Sequence, residues 1–359
     1  MPGQIRILGA GLSGLSCAIN LAQKKIDVEV VERCGGVGAH IKPNQQRLRY
    51  AGENAGDYFN CLNLNPEGYE SRVIPNFYLA TRYRLLDVKT AHPALLVTRG
   101  GEKSLEYALY RQAIKLGVKF KFNHEKPAKL DVNATGAASG EISGAAYGET
   151  YAGADFPADH GFVMYDDRYS PRGWYLYITP HGEDEVEVIN CVSQPHSKNV
   201  KKLYQKALRE QPFIKKTLRG AEKTGSIAGV GHIGLPKKAT VDGVLHVGEA
   251  AGFQDATRGY GMNYALESGK LAADCILGGR DYEKLWRQMF LPRMKRDFAK
   301  RFVTSIMGDR IIRFMLRRYR DADTIDFTSF NPQENFIGKL LTETFYRLEV
   351  VKKKATGYW

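Results

Sequence analysis

The chain has 359 residues, 43% hydrophobic and 25% charged, the balance of an ordinary globular protein with room for two domains or one domain carrying a large insertion. No apolar run reaches the length of a membrane-spanning helix, and five scattered cysteines without a CxxC pair argue against a disulfide frame or a zinc site. The eight histidines show no metal-ligand spacing, so no metal is expected, while a net charge of +13 provides a basic face that can meet nucleic acid, anionic lipid or water.

The first strand, Ile5 to Leu8, begins almost at once and leaves no room for a signal peptide, so a cytoplasmic protein is expected. It leads into Gly9-Ala10-Gly11-Leu12-Ser13-Gly14, a G-x-G-x-x-G turn. Leu15 to Lys24 then reads as a helix, and Asp27 to Val31 as a second strand closed by Glu32 and Arg33. Gly9 permits the tight turn, Gly11 lets backbone approach a pyrophosphate, and Gly14 lets helix and strand pack closely. A diphosphate would sit on the free N–H groups at the helix start. Glu32, 18 residues past Gly14, is placed to accept hydrogen bonds from a ribose. Cys34 follows and reads either as a packing residue or as a redox thiol.

Residues 40–98 are mixed and without a clear periodicity, with short apolar runs such as Phe77-Tyr78-Leu79-Ala80 and Ala94-Leu95-Leu96-Val97. Ser104 to Leu116 carries a helical apolar face, Val118 to Phe122 alternates like a strand, and Leu130 to Gly136 reads as strand and turn. From 140 to 215 the runs 161–165, 174–178 and 186–189 are aromatic and alternating, an antiparallel sheet inserted into an α/β domain. Lys201 to Leu218 reads as one helix. A buried strand at 243–248 returns to the nucleotide-binding pattern, followed by Glu249, a loop to Gly259-Tyr260-Gly261, and a helix from Met262 to Ile276.

The last eighty residues read as helical and basic. Eleven Lys or Arg lie between Trp286 and Arg320 against two Asp, a net of +9. Phe290, Met294, Phe298, Phe302 and Ile306 recur every four residues beside Arg293, Lys295, Arg296, Lys300 and Arg301. This stripe is either a packed core face or a helix lying on an anionic membrane. Nucleic acid is not expected, because no recognised binding module accompanies the charge. The terminal Lys352-Lys353-Lys354 reads as a frayed tail.

The block Gly248-Glu249-Ala250-Ala251 followed by Gly259-Tyr260-Gly261-Met262-Asn263 resembles the second FAD-binding motif of the flavoprotein family that includes aromatic hydroxylases and geranylgeranyl reductases. With the N-terminal fingerprint and the turn at Thr135-Gly136, the resemblance covers about a third of the chain in motifs. It implies a Rossmann-type FAD-binding domain with an inserted antiparallel β-sheet substrate domain and a helical C-terminal region. The FAD-binding domain would comprise 1–75, 93–140 and 220–280, the substrate domain 141–219 with part of 50–92, and the helical region 281–359.

The resemblance also implies FAD as cofactor, held by Gly9, Gly11, Leu12, Ser13, Gly14, Glu32, Arg33, Thr135, Gly136, Gly248, Glu249, Gly259, Gly261, Met262 and Asn263, with Arg99 in the position of an arginine that touches FAD. An acid at 249 can take ribityl hydroxyls, and the Met262 helix start would face the flavin edge where reduction places negative charge. Glu249 replaces the family's Asp, Ala256 stands where Pro is usual and is expected to loosen the loop, and Ala134-Thr135-Gly136 replaces a run ending in Asp-Gly, which speaks against an NADPH-dependent hydroxylase. Tyr175-Leu176-Tyr177-Ile178-Thr179-Pro180-His181-Gly182 resembles the reductases' YxWxFPxG signature. With Trp174, the residues Tyr175, Tyr177 and Pro180 would wall an isoprenoid channel, or are simply an aromatic sheet core. Arg258 reads as a solvated loop cation or as a partner of flavin or substrate.

The implied activity is reduction of carbon–carbon double bonds in an isoprenoid or other apolar lipid by hydride from reduced flavin. NADPH or ferredoxin would supply the electrons, and the protein would be cytoplasmic or peripheral on a membrane. No residue stands out as the proton donor. A flavin monooxygenase, and a non-redox prenyl binder like the Rab escort and dissociation-inhibitor proteins, remain open.

Overall fold

The computed structural model describes residues 3–48, 55–125, 127, 129–181, 184–319, 324–326 and 335–357; Gly182 of the aromatic signature and Arg320 of the basic stretch lie outside them. Ile5–Leu8 forms β1, Leu12–Ala22 forms α1, and Val28–Val31 forms β2, parallel to β1 with Ile5 opposite Val28 and Leu8 opposite Val31. All four β2 residues are buried, as expected of a parallel strand covered on both faces.

The stretch without periodicity is mostly sheet. It holds β3 (Asn44–Leu48), the short helix α2 (Ala55–Cys61), and a long hairpin of β4 (Ser71–Thr81) and β5 (Arg84–Arg99). The hairpin hides from a periodicity reading for two reasons. Much of its far half is exposed, and the register shifts between Ile74 and Asn76, where Pro75 has no N–H to give the ladder. Next come α3 (Leu105–Lys115), capped by Ser104 accepting from the Tyr107 N–H at 3.2 Å, then β6 (Lys119–Lys121) and β7 (Val132–Asn133).

The aromatic region gives β8 (Gly144–Ala152), β9 (His160–Tyr165), β10 (Leu176–His181) and β11 (Glu185–Ser193). The single helix expected over 201–218 is two, α4 (Val200–Glu210) and α5 (Pro212–Thr217). Pro212 ends the first ladder, and the Gln211 side chain accepts from the Ile214 N–H to start the second. Strands β12 (Glu222–Gly231), β13 (Thr240–Val241) and β14 (Val244–His246) precede α6 (Met262–Gly278). The chain finishes with α7 (Tyr282–Met289), α8 (Leu291–Met307), α9 (Asp309–Leu316), β15 (Thr324–Ile325) and α10 (Phe336–Thr356). Among the described residues no helix is long and apolar enough to cross a membrane.

Two sheets result. The first runs β13-β14-β7-β1-β2-β6 and is parallel apart from the β13–β14 pair. The second runs β12-β8-β11-β10-β9-β4-β5-β15, with β3 on β5; its β4–β9 and β5–β15 pairs are parallel and the others antiparallel. It therefore takes β3, β12 and parts of the hairpin from stretches expected in the nucleotide-binding domain. Pairing across roughly fifty to ninety residues leaves no local signal.

Most of the basic stripe is a core face, with Phe302 half-buried and Ile306 65% exposed at its far end. Phe290, Met294 and Phe298 are fully buried, and Arg301 is 1% exposed. Lys295 bonds Glu343 of α10 at 2.8 Å. Nor does the lysine tail fray. It continues α10, with Lys352 bonding Glu349 at 2.6 Å and Ser305 at 3.1 Å, and Lys353 bonding Glu141 at 2.8 Å.

Helices α1 and α6 cross with almost no space between them. A Cβ on Gly269 would lie 2.2 Å from the Ser13 carbonyl oxygen, and the Ser16 hydroxyl donates to the Leu266 carbonyl at 2.8 Å. Gly269→Ala is expected to cost about 1–3 kcal/mol by forcing the helices apart. Gly229→Ala, where nothing lies within 4 Å of the added carbon, should be close to neutral. Thermal melts of the two variants check the contrast.

Candidate functional site

Three motifs separated by more than a hundred residues meet at the ends of β1, β7 and β14. Gly9 has a φ of +108°, and a Cβ there would lie 2.4 Å from the Ala134 carbonyl oxygen. A Cβ on Gly14 would lie 2.0 Å from the Gly9 oxygen, so the first turn of α1 folds directly over β1. Gly248 is wedged between the two helix starts: a Cβ there would lie 3.0 Å from Ser13 Oγ and 3.5 Å from the Ala265 Cα. Its N–H donates to Ser268 Oγ at 2.7 Å. Gly11 and Gly136 behave differently. Nothing lies within 4 Å of a Cβ at either, so backbone is open to an incoming group there. Leu12 and Ser13 are buried in the first turn of α1, and Arg33 is exposed beyond β2.

Among the described residues no side chain caps α1 at Gly11 or α6 at Gly261. Both helix starts carry unsatisfied N–H groups and the positive end of the helix dipole. Met262 is buried and Asn263 half-buried in the first turn of α6. The residues present fit a dinucleotide: open glycine backbone, two uncapped helix starts, and acids at 32 and 249.

Glu32 is 8% exposed and already engaged. Its Oε2 accepts from the Ala10 N–H and its Oε1 from the Cys34 N–H, each at 2.9 Å, so it ties the glycine turn to the end of β2. Burial, then the Glu32 charge, pushes the Cys34 thiol above its ordinary value, which favours the packing role over a thiolate. Glu249 Oε1 accepts from the His232 N–H at 2.7 Å; the methylene it has beyond Asp carries it toward the end of β12. Burial pushes its carboxyl up to about 7, opposed by that N–H and by the Arg99 charge. Arg99 itself bonds Glu106 and Gln46, each at 2.9 Å. At the middle motif, Asn133 Oδ1 accepts from the Thr135 N–H at 3.2 Å and hydroxyl at 2.8 Å, and Gly136 turns at a φ of +67°.

The loop before α6 is not loosened by Ala256. Asp255 Oδ1 accepts from the Thr257 N–H at 2.7 Å and the Arg258 N–H at 3.1 Å, its backbone pairs with Tyr260 and Gly259, and Gln254 donates to the Gly259 carbonyl at 2.9 Å. Ala256 is buried beneath this clasp. Sequence reading passed over Gln254 and Asp255, although an Asp two and three residues before the amides it binds is a recognisable side-chain turn.

Across from this loop stands the inner face of the large sheet. Tyr165, Tyr175 and Tyr177 form a row with ring centroids 5.9 Å apart, and the Tyr175 hydroxyl donates to the Arg258 carbonyl at 2.5 Å. Trp174 packs beside Gly259 and under the Arg301 guanidinium, 4.8 Å from its ring centre. Pro180 does not join this wall. Strand alternation places it on the opposite face with Leu176 and Ile178, which pack in the outer core with α4 and α5. The Arg258 guanidinium lies near Tyr165, Tyr260 and Asp255, and its surroundings favour the protonated form despite its burial. His232 was also passed over. Its ring sits against Gly140, Gly234 and Gly252, and no local motif marks it.

The N-terminal motif and the overall fold have counterparts among known proteins. The NAD(P)-binding Rossmann-like domain family matches residues 7–65. The chain is 27% identical to digeranylgeranylglycerophospholipid reductase 2 of Methanothermobacter thermautotrophicus over 48% of this chain and 46% of that one, so that match spans less than half of the relative. It is 23% identical to the same-named protein of Methanopyrus kandleri over 87% of each. A geranylgeranyl bacteriochlorophyll reductase-like protein from Thermoplasma acidophilum shares the fold with a TM-score of 0.70 at 14% identity, covering 98% of this chain and 99% of that one. The flavin-dependent brominase Bmp2 does so with a TM-score of 0.66 at 16% identity over 98% of each. The chain is thus similar in sequence to digeranylgeranylglycerophospholipid reductases and shares the fold of a geranylgeranyl reductase-like protein and of a flavin-dependent brominase.

Proposed function

We propose that the chain binds FAD and reduces carbon–carbon double bonds of an isoprenoid or other apolar lipid. The observation that carries the reading is the tie between the tyrosine row and the loop before α6, made by Tyr175 and Arg258. It sets an aromatic wall against the loop that leads to an uncapped helix start. When bound, the flavin supplies the hydride.

The chain's own residues supply placement and surroundings. The open backbone at Gly11 and the start of α1 would hold the pyrophosphate, and Glu32 would take the ribose with the lone pairs its two backbone bonds leave free. Glu249 would face the ribityl hydroxyls, and the amides at Met262 and Asn263 would meet the negative edge of the reduced ring. Tyr165, Tyr175, Tyr177 and Trp174 would exclude water from an apolar substrate. NADPH or a ferredoxin-like carrier would supply electrons. The fold shared with the brominase supports a second reading, oxygen-dependent substrate oxidation. An assay under nitrogen separates the two: chemically reduced protein should add two hydrogens per double bond of a prenyl lipid without oxygen, whereas a monooxygenase turns over only when oxygen is admitted.

Purified protein is expected to be yellow, with one FAD per chain released intact on denaturation and identified by mass spectrometry. Colourless protein that FAD does not reconstitute would sink the reading.

Glu32→Ala should weaken FAD binding by about 1.5–3 kcal/mol, the range for a hydrogen bond to a charged group. Gly11→Val should do so by filling the open backbone. Equilibrium titration of the apoprotein measures both, and unchanged affinity in both would place the nucleotide elsewhere.

Glu249 predicts a pH dependence for the apoprotein. Its folded value, about 7, lies above the ordinary 4.5. Stability is therefore full below pH 4.5 and is lost as pH rises through about 7. Glu249→Gln keeps an acceptor for the His232 N–H and carries no charge, so it should be more stable than wild type above pH 7 by on the order of 2 kcal/mol. Denaturant melts of both proteins from pH 4 to 8 give the test; parallel curves would refute it.

A further inference from the structure

We propose that the outer face of α10 docks on an anionic lipid surface. Phe336, Ile337, Leu340, Leu341, Leu348 and Val351 are between 42% and 80% exposed. At 100° per residue they fall within an arc of about 140°, while Gly338, Thr342, Phe345, Glu349 and Lys352 occupy the opposite side. That opposite side is the one bound to α8: Phe345 stacks on Phe302 at 5.8 Å, and Lys352 bonds Ser305. The helix thus packs one side on α8 and turns six large apolar side chains outward, which a surface helix serving only its own core would not do.

Charge selects the occupant. The charged side chains exposed on α10 are Lys339, Arg347 and Lys354, all cations, and none of its exposed residues is acidic. Its two acids are turned away: Glu349 is fully buried, and Glu343 is half-buried between Lys295 and Arg347, bonding them at 2.8 and 2.9 Å. A second copy laid on this face would bring cations against cations with no exposed carboxylate to pair them. An anionic bilayer offers the complementary charge and a place for six apolar side chains, with the helix lying in the interface. The basic stripe of α8 is less suited to this role, because Met294 and Phe298 are fully buried, Phe302 is stacked on Phe345, and Arg301 is enclosed. The assignment is independent of which substrate the flavin site accepts.

The test uses the full chain with its cofactor, sedimented with vesicles of phosphatidylglycerol and phosphatidylcholine or of phosphatidylcholine alone. Wild-type protein should pellet with the anionic vesicles at low salt and less so at high salt. Lys339→Gln, Arg347→Gln and Lys354→Gln together should lower partitioning about a hundredfold, at about fivefold per cation. Ile337→Gln, Leu341→Gln and Leu348→Gln together should lower it at least about tenfold. Because both sets lie on the exposed face, thermal melts should remain near wild type. A Leu340→Trp variant adds a local readout, with emission moving to shorter wavelength on adding anionic vesicles. Wild-type protein that stays in the supernatant at low salt overturns the proposal. So does a dimer in sedimentation velocity that the Ile337, Leu341 and Leu348 set splits, since a second copy would then cover the face.

Discussion

The contact on which the rest of the structure depends is the one between α1 and α6, made with backbone rather than side chains. Gly269 lies against the Ser13 carbonyl, Ser16 donates to the Leu266 carbonyl, and Gly248 sits between the two helix starts. Any side chain in this crossing would separate the helices and with them the three stretches that make up the site. Close packing of this kind tolerates little change in volume, because the surrounding atoms are themselves fixed by the parallel sheet. The uncapped starts of α1 and α6 are therefore held near one another by exclusion of space as well as by attraction. Polar groups that a free-standing helix would satisfy with a capping side chain are left for a ligand.

The parts of this arrangement legible in the sequence are those in which one short segment carries the whole physical requirement. The turn at Gly9 to Gly14 is such a case, since its positive φ and its contact with Ala134 both demand glycine. The β1-α1-β2 unit follows because apolar runs and a turn of fixed chemistry occur within thirty residues. What could not be read was whatever depends on a distant partner. The β4–β5 hairpin is polar where it is exposed, and the pairing of β12 with β8 joins residues some seventy positions apart. Glu249 was legible as an acid at a strand end, but its bond to His232 was not, because nothing near His232 announces that the end of β12 lies there.

The C-terminal helices show the same division. A stripe recurring every four residues says that a face is apolar but not what covers it. Burial of Phe290, Met294 and Phe298 answers that for α8. Enclosing Arg301 costs desolvation, which pulls its guanidinium down to about 10 and leaves two of its nitrogens without a hydrogen-bond partner. The Trp174 ring, the Arg172 carbonyl and the nearby Glu349 charge offset part of that cost. Here the buried cation joins three separate parts of the chain.

That junction bears on how the protein can change over evolutionary time. Arg301 comes from α8, Trp174 from the approach to β10, and Trp174 in turn borders Gly144 of β8 and Gly259 of the loop before α6. A homologue that exchanged its C-terminal third by recombination would bring an arginine or its replacement to a tryptophan inherited from elsewhere. The mismatch would fall beside the loop that shapes the site. The C-terminal helices are therefore expected to be inherited together with that loop and that strand as one unit, while the outer side of α10, which touches none of them, can change without disturbing that junction.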